Sequence, residues 1–405
     1  GKGNNGGDGL VASRYLARWG LGVSVTLLRP DDDVREPGAT NLARLRETNA
    51  RIRSYTEAGL ERELARADVV VDAIFGTGFR GTPKDPSAAA IGQLEGSGAP
   101  IVAVDIPSGV NGESGAVEGP AVSADVTVTF GALKAGLVLF PGAERTGIVE
   151  VVDIGFPPDL VHPDLWLVEA LDVAAIVPRR ATETHKRASG VVLVIGGSRT
   201  MTGAVCLAAE AAYRAGAGLV QVAVPKGILR VVQGVLRETT FVALPETADG
   251  TAILDPILER LDGVDAIALG PGMTTQAETT YEIRRLVRAS PIPIVLDADG
   301  LNAFAGHASE LADRRAELVL TPHAGEFGRL AGMSSKEVEA DRVGNVRKLV
   351  AETGATVLLK GSRTLVCSPD GVVRVNPTGN PYLATGGTGD VLEQVARVFR
   401  EVRKA

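Results

Sequence analysis

Residues 1–28, GKGNNGGDGLVASRYLARWGLGVSVTLL, join a glycine-rich turn to an amphipathic helix and then to a β-rich run. That order repeats along the chain. Further strand candidates in the first part are 68–74, 100–105, 125–130 and 148–152. In the second part they are 191–195, 219–224, 265–269, 293–297, 317–321 and 356–360. Most are nearly continuous apolar runs, as parallel strands covered on both faces require. Helical patterns at 203–215, 275–289 and 335–352 lie between them. Alternating β and α predicts an α/β fold with mainly parallel sheets.

Composition narrows the function classes. The 405 residues include 49 glycines, about 12% against a usual 7%. They show no Gly-X-Y period, which excludes collagen. Hydrophobic residues make up 45%, too many for a wholly disordered chain. No apolar run approaches the roughly 20 residues of a membrane-spanning helix. Net charge is −7, which argues against a nucleic-acid coat built on phosphate neutralisation. Cys206 and Cys367 cannot form a disulfide framework, and a cytoplasmic location is expected. Residues 1–170 carry 15 Lys/Arg against 23 Asp/Glu, whereas 171–405 carry 27 against 26. This shift, with Pro157-Pro158, Pro163 and Pro178, places a domain boundary in 155–185.

Gly1-x-Gly3-x-x-Gly6 satisfies the dinucleotide fingerprint, with Asp31 beyond the next strand as a ribose acid. Such patterns arise easily in glycine-rich chains. Asn4-Asn5-Gly6-Gly7-Asp8 is more specific, since it pairs amide side chains with glycines at a helix start. A tight turn capped by Asp8 needs only one or two of these residues. Two further strand ends carry an acid and glycines: Asp72-Ala-Ile-Phe-Gly76-Thr-Gly78-Phe-Arg80-Gly81 and Asp105-Ile-Pro107-Ser108-Gly109. Ligands of open parallel sheets bind beyond the carboxyl ends of strands.

The second half is similar in style. IGGS (195–198), GPG (270–272), DADGLN (297–302), TPHAGE (321–326) and KGSRT (360–364) follow strand candidates. ATGGTGD (384–390) runs into a helix. Consecutive glycines at a helix start expose N–H groups to an anion, and Asp390 beside them can take a hydroxyl proton during phosphoryl transfer. His323 reads either as a substrate partner or as a satisfied strand-end histidine. The four histidines have no ligand spacing, so a histidine metal site is not expected.

GNNGGDG, DAIFGTGFRG and DIPSGVNG resemble the NAD(P)HX epimerase domain of the bifunctional NAD(P)H-hydrate repair enzymes. The resemblance implies a Rossmann-like three-layer domain that interconverts nicotinamide hydrated at C6 in its R and S forms. It implies substrate contacts by Asn4, Asn5, Gly6, Gly7 and Asp8. It implies the same for Gly76, Thr77, Gly78, Phe79, Arg80, Gly81, Thr82 and Asp105. K⁺ would lie on Asn5, Asp72 and Ser108, and Asp105 would do acid/base work. The second motif set resembles the ribokinase-like superfamily, and within it the ADP-dependent NAD(P)HX dehydratase. The implied substrate contacts are Ala204, Gly272, His323 and Asp390. Lys360, Gly361, Ser362, Arg363, Thr364 and Gly389 would hold the adenine nucleotide. Glu326 stands where a magnesium-linked acid is expected, and Asp390 would be the base. The cofactors implied are K⁺, Mg²⁺ and ADP, and the substrates NADHX and NADPHX.

These resemblances set domain expectations of 1–165 for the epimerase, 166–185 for a linker and 186–405 for the dehydratase. Against the family pattern, a helix and a strand are missing before residue 1, and helical residues after Leu392. Both domains are therefore expected to be truncated at their outer ends, the first lacking its first strand. The alternative is a ribokinase-like sugar or hydroxymethylpyrimidine kinase with a fused binding domain. TPHAGE with DADGLN fits the dehydratase better. An RNA-binding role for the first domain meets its net charge of −8. No nucleic-acid or membrane partner is expected, and a homo-oligomer stays open.

Overall fold

The computed structural model describes residues 1, 3–160, 162–177 and 181–388. The chain folds into two compact units, Gly1–Pro163 and Asp164–Ala405. The first opens with the helix Asn4–Arg18 and has six strands. These are β1 (Ser24–Leu27), β2 (Arg51–Ser54), β3 (Val70–Asp72), β4 (Ile101–Val104), β5 (Val126–Phe130) and β6 (Ile148–Val152). β1 and β2 form a parallel pair. β3, β4, β5 and β6 form a parallel sheet in that order. β2, RIRS, was not expected from its polar composition; it is exposed on all but Ile52, which packs in the cluster of Leu10, Leu42 and Leu45.

The second unit contains β7 (Leu165–Leu167), β8 (Val191–Ile195), β9 (Leu219–Pro225), β10 (Thr240–Leu244) and β11 (Ala266–Leu269). It continues with β12 (Ile294–Leu296), β13 (Leu318–Leu320), β14 (Thr356–Leu359), β15 (Thr364–Cys367) and β16 (Val373–Asn376). All ten share one sheet in the order β10-β9-β8-β11-β12-β13-β14-β15-β16-β7. From β10 to β14 every pairing is parallel. The β15 hairpin strands are antiparallel. β8 and β11 are buried at every position, which explains their unbroken apolar sequences. The helix Gly203–Arg214 lays Ala208, Ala209 and Ala212 on β8 and β9, close packing that only small side chains permit.

Two expectations change. Residues 166–177, assigned to the linker, carry most of β7 and the helix Ala170–Ile176. β7 pairs with β16, so the alternating Leu165-Trp166-Leu167 run serves as an edge strand of the second sheet. The single helix expected over 335–352 is two, Ser335–Ala340 and Arg342–Thr353. The break falls at Asp341, whose carboxylate accepts from Gly344 N and caps the second helix. Among the described residues no helix is long and apolar enough to cross a membrane.

Candidate active sites

In the first unit the polar groups gather beyond the carboxyl ends of β3, β4 and β5. Asp72 ends β3 with 1% of its surface exposed. Its Oδ1 accepts from Ser108 Oγ at 2.6 Å and from Ile74 N at 3.1 Å; its Oδ2 accepts from Ser108 N at 2.7 Å. Burial pushes this carboxyl above its ordinary range, and the Ser108 and Ile74 donors oppose the shift. Ser108 Oγ also accepts from Phe75 N at 2.9 Å. Phe75 O in turn accepts from Asn5 Nδ2 at 2.6 Å. This chain of bonds ties Asn5 on the first helix to the ends of β3 and β4. Gly76 lies so close that an added Cβ would stand 3.0 Å from Asn5 Cβ. Asn5 Oδ1 is buried and has no hydrogen-bond partner among the described residues. An orphaned acceptor in such a place costs about 1–3 kcal/mol unless a ligand satisfies it.

Asp105 follows β4 with φ +68°, a left-handed conformation uncommon outside glycine. Its Oδ1 accepts from Lys134 Nζ at 2.8 Å and from Thr129 Oγ1 at 3.1 Å. Lys134 Nζ also donates to Thr129 Oγ1 and to the Phe130 carbonyl. Asp8 faces this group: burial and then the Asp105 charge hold its carboxyl above the ordinary range. In the loop after Gly76, Arg80 donates to the Thr77 and Phe79 carbonyls and pairs with Glu113.

In the second unit the sheet order reverses between β8 and β11, the place where open α/β sheets bind ligands. Gly270, at φ +128°, ends β11, and a Cβ there would collide with the Asp297 carbonyl and Gly300 N. A Cβ on Gly272 would stand 2.9 Å from the Met201 carbonyl oxygen. The three turns after β8, β11 and β12 are thereby drawn together. Asp297 is 2% exposed and binds Lys360 Nζ at 2.8 Å. Lys360 also faces Glu326 at 3.6 Å. Glu326 Oε2 accepts from His323 N at 2.9 Å, while His323 Nδ1 accepts from Gly325 N and Glu326 N. The two residues thus form a reciprocal cap for the helix Ala324–Ala331. The loop 360–364 is held from below by Arg342, which donates to Ser362 O at 2.6 Å and Leu359 O at 3.2 Å. Its guanidinium fills the space a Cβ on Gly361 would need, at a φ of +151°.

Sequence comparison assigns the two units to two family models. Residues 1–136 match the family model described as YjeF-related protein N-terminus, and residues 192–394 that of NAD(P)H-hydrate dehydratase. The chain is 44% identical over 402 residues to the bifunctional NAD(P)H-hydrate repair enzyme Nnr of Moorella thermoacetica. That match covers 97% of this chain and 76% of the relative. The enzyme of the same description from Thermofilum pendens is 40% identical over 398 residues, with the same coverage of both chains. The chain belongs to the bifunctional NAD(P)H-hydrate repair enzymes. A ribokinase-like superfamily protein from Enterococcus faecalis shares the fold at a TM-score of 0.51 and 23% identity, covering 60% of this chain and 82% of its own.

For a NAD(P)H-hydrate repair enzyme of this sequence, the residues expected on the first half do converge. Asn5, Gly6 and Gly7 are buried at the helix start, Asn4 and Asp8 are exposed, and Gly76 to Thr82 form a partly exposed loop. In the second half, Ala204 sits on the first turn of the Gly203–Arg214 helix, and Gly387 packs against Leu207 of that helix. Gly387, in the described part of ATGGTGD, therefore lies against the same helix that carries Ala204. Gly389 and Asp390 lie outside the described residues. Of the two readings its sequence left open, the satisfied histidine is seen: Nδ1 of His323 caps a helix, and the side chain keeps 55% of its surface exposed. Sequence reading missed Lys134, Thr129 and Arg342. Lys134 and Thr129 stand on opposite sides of a turn after β5. Arg342 is 18 residues from the loop it holds. Only β-strand alternation at Thr127 and Thr129, hydroxyls facing inward, could have hinted at a polar interior there.

Proposed function

We propose that this chain repairs hydrated nicotinamide nucleotides with both halves. The first unit interconverts (6R)- and (6S)-NAD(P)HX. The second uses ADP to dehydrate the S form, releasing AMP and phosphate and restoring NAD(P)H. The observation that carries the reading is the succession of both family matches on one chain, each over a strand-end site with the expected residues.

Asn5, Asp72 and Ser108 would hold K⁺ in the first unit. The fit rests on Asn5 Oδ1, buried without a partner, and on a buried carboxylate with no Lys or Arg beside it among the described residues. Oxygen donors alone suit a hard cation. K⁺ bound there would supply a fixed positive charge beside the helix start. The residues themselves do the rest: Asn5 ties the helix to the β3 loop, and Asp105 moves a proton at the substrate.

In the second unit Lys360, Gly361, Ser362, Arg363, Thr364 and Gly389 would hold ADP. Ala204, Gly272 and His323 would orient the hydrated ring. Asp390 takes the C6 hydroxyl proton as that oxygen attacks the terminal phosphoryl group of ADP, and AMP leaves. Loss of phosphate from C6 with a C5 proton then restores the ring double bond. Phosphate leaves far more readily than hydroxide, which is why a kinase fold suits a dehydration. Mg²⁺ would offset nucleotide charge, with Glu326 the acid kept for it.

The test supplies each epimer separately with ADP and Mg²⁺. The S form should yield NADH absorbance and inorganic phosphate, and Asp390→Asn should abolish both. The R form should follow through the first unit. A stable phosphorylated product in place of NADH would overturn the reading in favour of a kinase.

A further inference from the structure

The geometry points to Lys134 as the proton donor that works with Asp105 in the epimerase reaction. The assignment rests on the epimerase reading of the first unit. The substrate carbon C6 bears a hydroxyl and is bonded to ring N1, so it is a hemiaminal. Its inversion through ring opening needs two groups at once. Asp105 takes the hydroxyl proton, the oxygen pair forms C6=O, and the C6–N1 bond breaks. The electron pair stays on N1, which takes a proton from the Lys134 ammonium. Rotation about C5–C6 presents the other face of the carbonyl. N1 then returns its proton to the Lys134 amine as it attacks C6, and the oxygen recovers its proton from Asp105. No atom is gained or lost, and no oxidant is needed.

An ionised Asp105 that takes the hydroxyl proton has no proton of its own to give N1 in the same step. Lys134 supplies the missing group. Its three N–H bonds have three acceptors. Thr129 Oγ1 at 2.8 Å and the Phe130 carbonyl at 2.7 Å are fixed parts of β5. The third is Asp105 Oδ1 at 2.8 Å, and this is the N–H that bound substrate can take over. Both side chains are largely shielded yet not sealed, with 19% and 13% of their surfaces exposed. Asp105 is held in its left-handed conformation at the same strand end. Asp8, in the first turns of the Asn4–Arg18 helix, lies near enough to Asp105 for the two charges to act on each other. A lysine kept only to neutralise Asp105 would be replaceable by arginine. A proton donor would not, because a guanidinium does not give up its proton in this pH range.

The experiment measures R-to-S interconversion above the spontaneous rate in the whole chain, for wild type, Lys134→Arg and Lys134→Ala. Both variants should lose about 10²–10⁴-fold of the catalysed rate. Added ethylamine should restore part of it to Lys134→Ala and none to Lys134→Arg. Circular dichroism and the thermal unfolding of the first unit report that each variant is folded, and dehydration of the S form in the same samples reports that the second unit is intact. Lys134→Arg turning over near the wild-type rate would overturn the assignment, since charge alone would then suffice. A wild-type chain that fails to interconvert the epimers would overturn the epimerase reading itself.

Discussion

Two buried aspartates end strands in the two units, and they are treated in opposite ways. Asp297, just after β12, is answered by a lysine at 2.8 Å. Asp72, at the end of β3, accepts from a hydroxyl and two backbone N–H groups and feels the charge of the Gly1 ammonium, and the nearby Asn5 oxygen has no partner among the described residues. A buried charge is tolerated when it is paired, and otherwise it stays costly until a ligand arrives. Asp297 with Lys360 is thus a finished piece of architecture that fixes the β12 turn to the 360–364 loop. Asp72 is, on the proposed reading, one of the three residues that would hold K⁺.

The largest effect should come from breaking the finished pair. Lys360→Met leaves Asp297 and Glu326 buried without their cation, and unfolding in urea should show a loss of about 3–5 kcal/mol. Adding Asp297→Asn should recover part of it. If the single variant is as stable as wild type, the contrast between the two aspartates fails.

Next comes the cation itself. At a hundredfold excess over its dissociation constant, K⁺ should stabilise the wild type by about 2.7 kcal/mol in thermal unfolding. Asp72→Asn should be insensitive to K⁺. It should also be more stable than wild type in K⁺-free buffer at neutral pH. The sign follows from the shift: burial raises the folded pKa, so the acid costs stability once pH exceeds the unfolded value and increasingly so up to the folded one. Equal responses of wild type and variant would remove Asp72 from the cation site.

Arg342 offers a smaller test on the paired side. Arg342→Met removes two charge-assisted bonds to the 360–364 loop, worth about 2 kcal/mol. Its mark should be a raised KM for ADP with kcat for bound substrate little changed. A fall in kcat alone would place Arg342 outside nucleotide binding.

The smallest effect is at His323. His323→Ala loses a helix cap, about 1 kcal/mol, and His323→Asn should restore it. If Asn restores stability but not turnover, the exposed imidazole edge acts on substrate. If Asn restores both, the residue is only a cap.

Much of this was legible in the chain. The apolar runs of β8, β9 and β11 to β14 announce parallel strands, because strands covered on both faces have little polar side to show, and the runs of β3 to β6 follow the same pattern although β6 itself is exposed. The glycine motifs announce strand-end sites, because a backbone that must approach a ligand cannot carry a Cβ. The less apolar edge elements were hidden. β2 reads as surface sequence, β7 reads as linker, and the edge strand β10 was not singled out, since an edge strand is half exposed and its pairing is not local.

Sequence alone therefore determined the family, the strand ends that carry chemistry, and the residue types at each. Local chain geometry suffices for that, since a glycine turn after a buried strand can point only to the sheet's end. Tertiary structure decided the partnerships. It set Lys134 on Asp105, Lys360 on Asp297 and Arg342 under Gly361, and it left Asn5 Oδ1 with none among the described residues. Those pairs join residues 19 to 63 apart in the chain, and only tertiary packing brings them together.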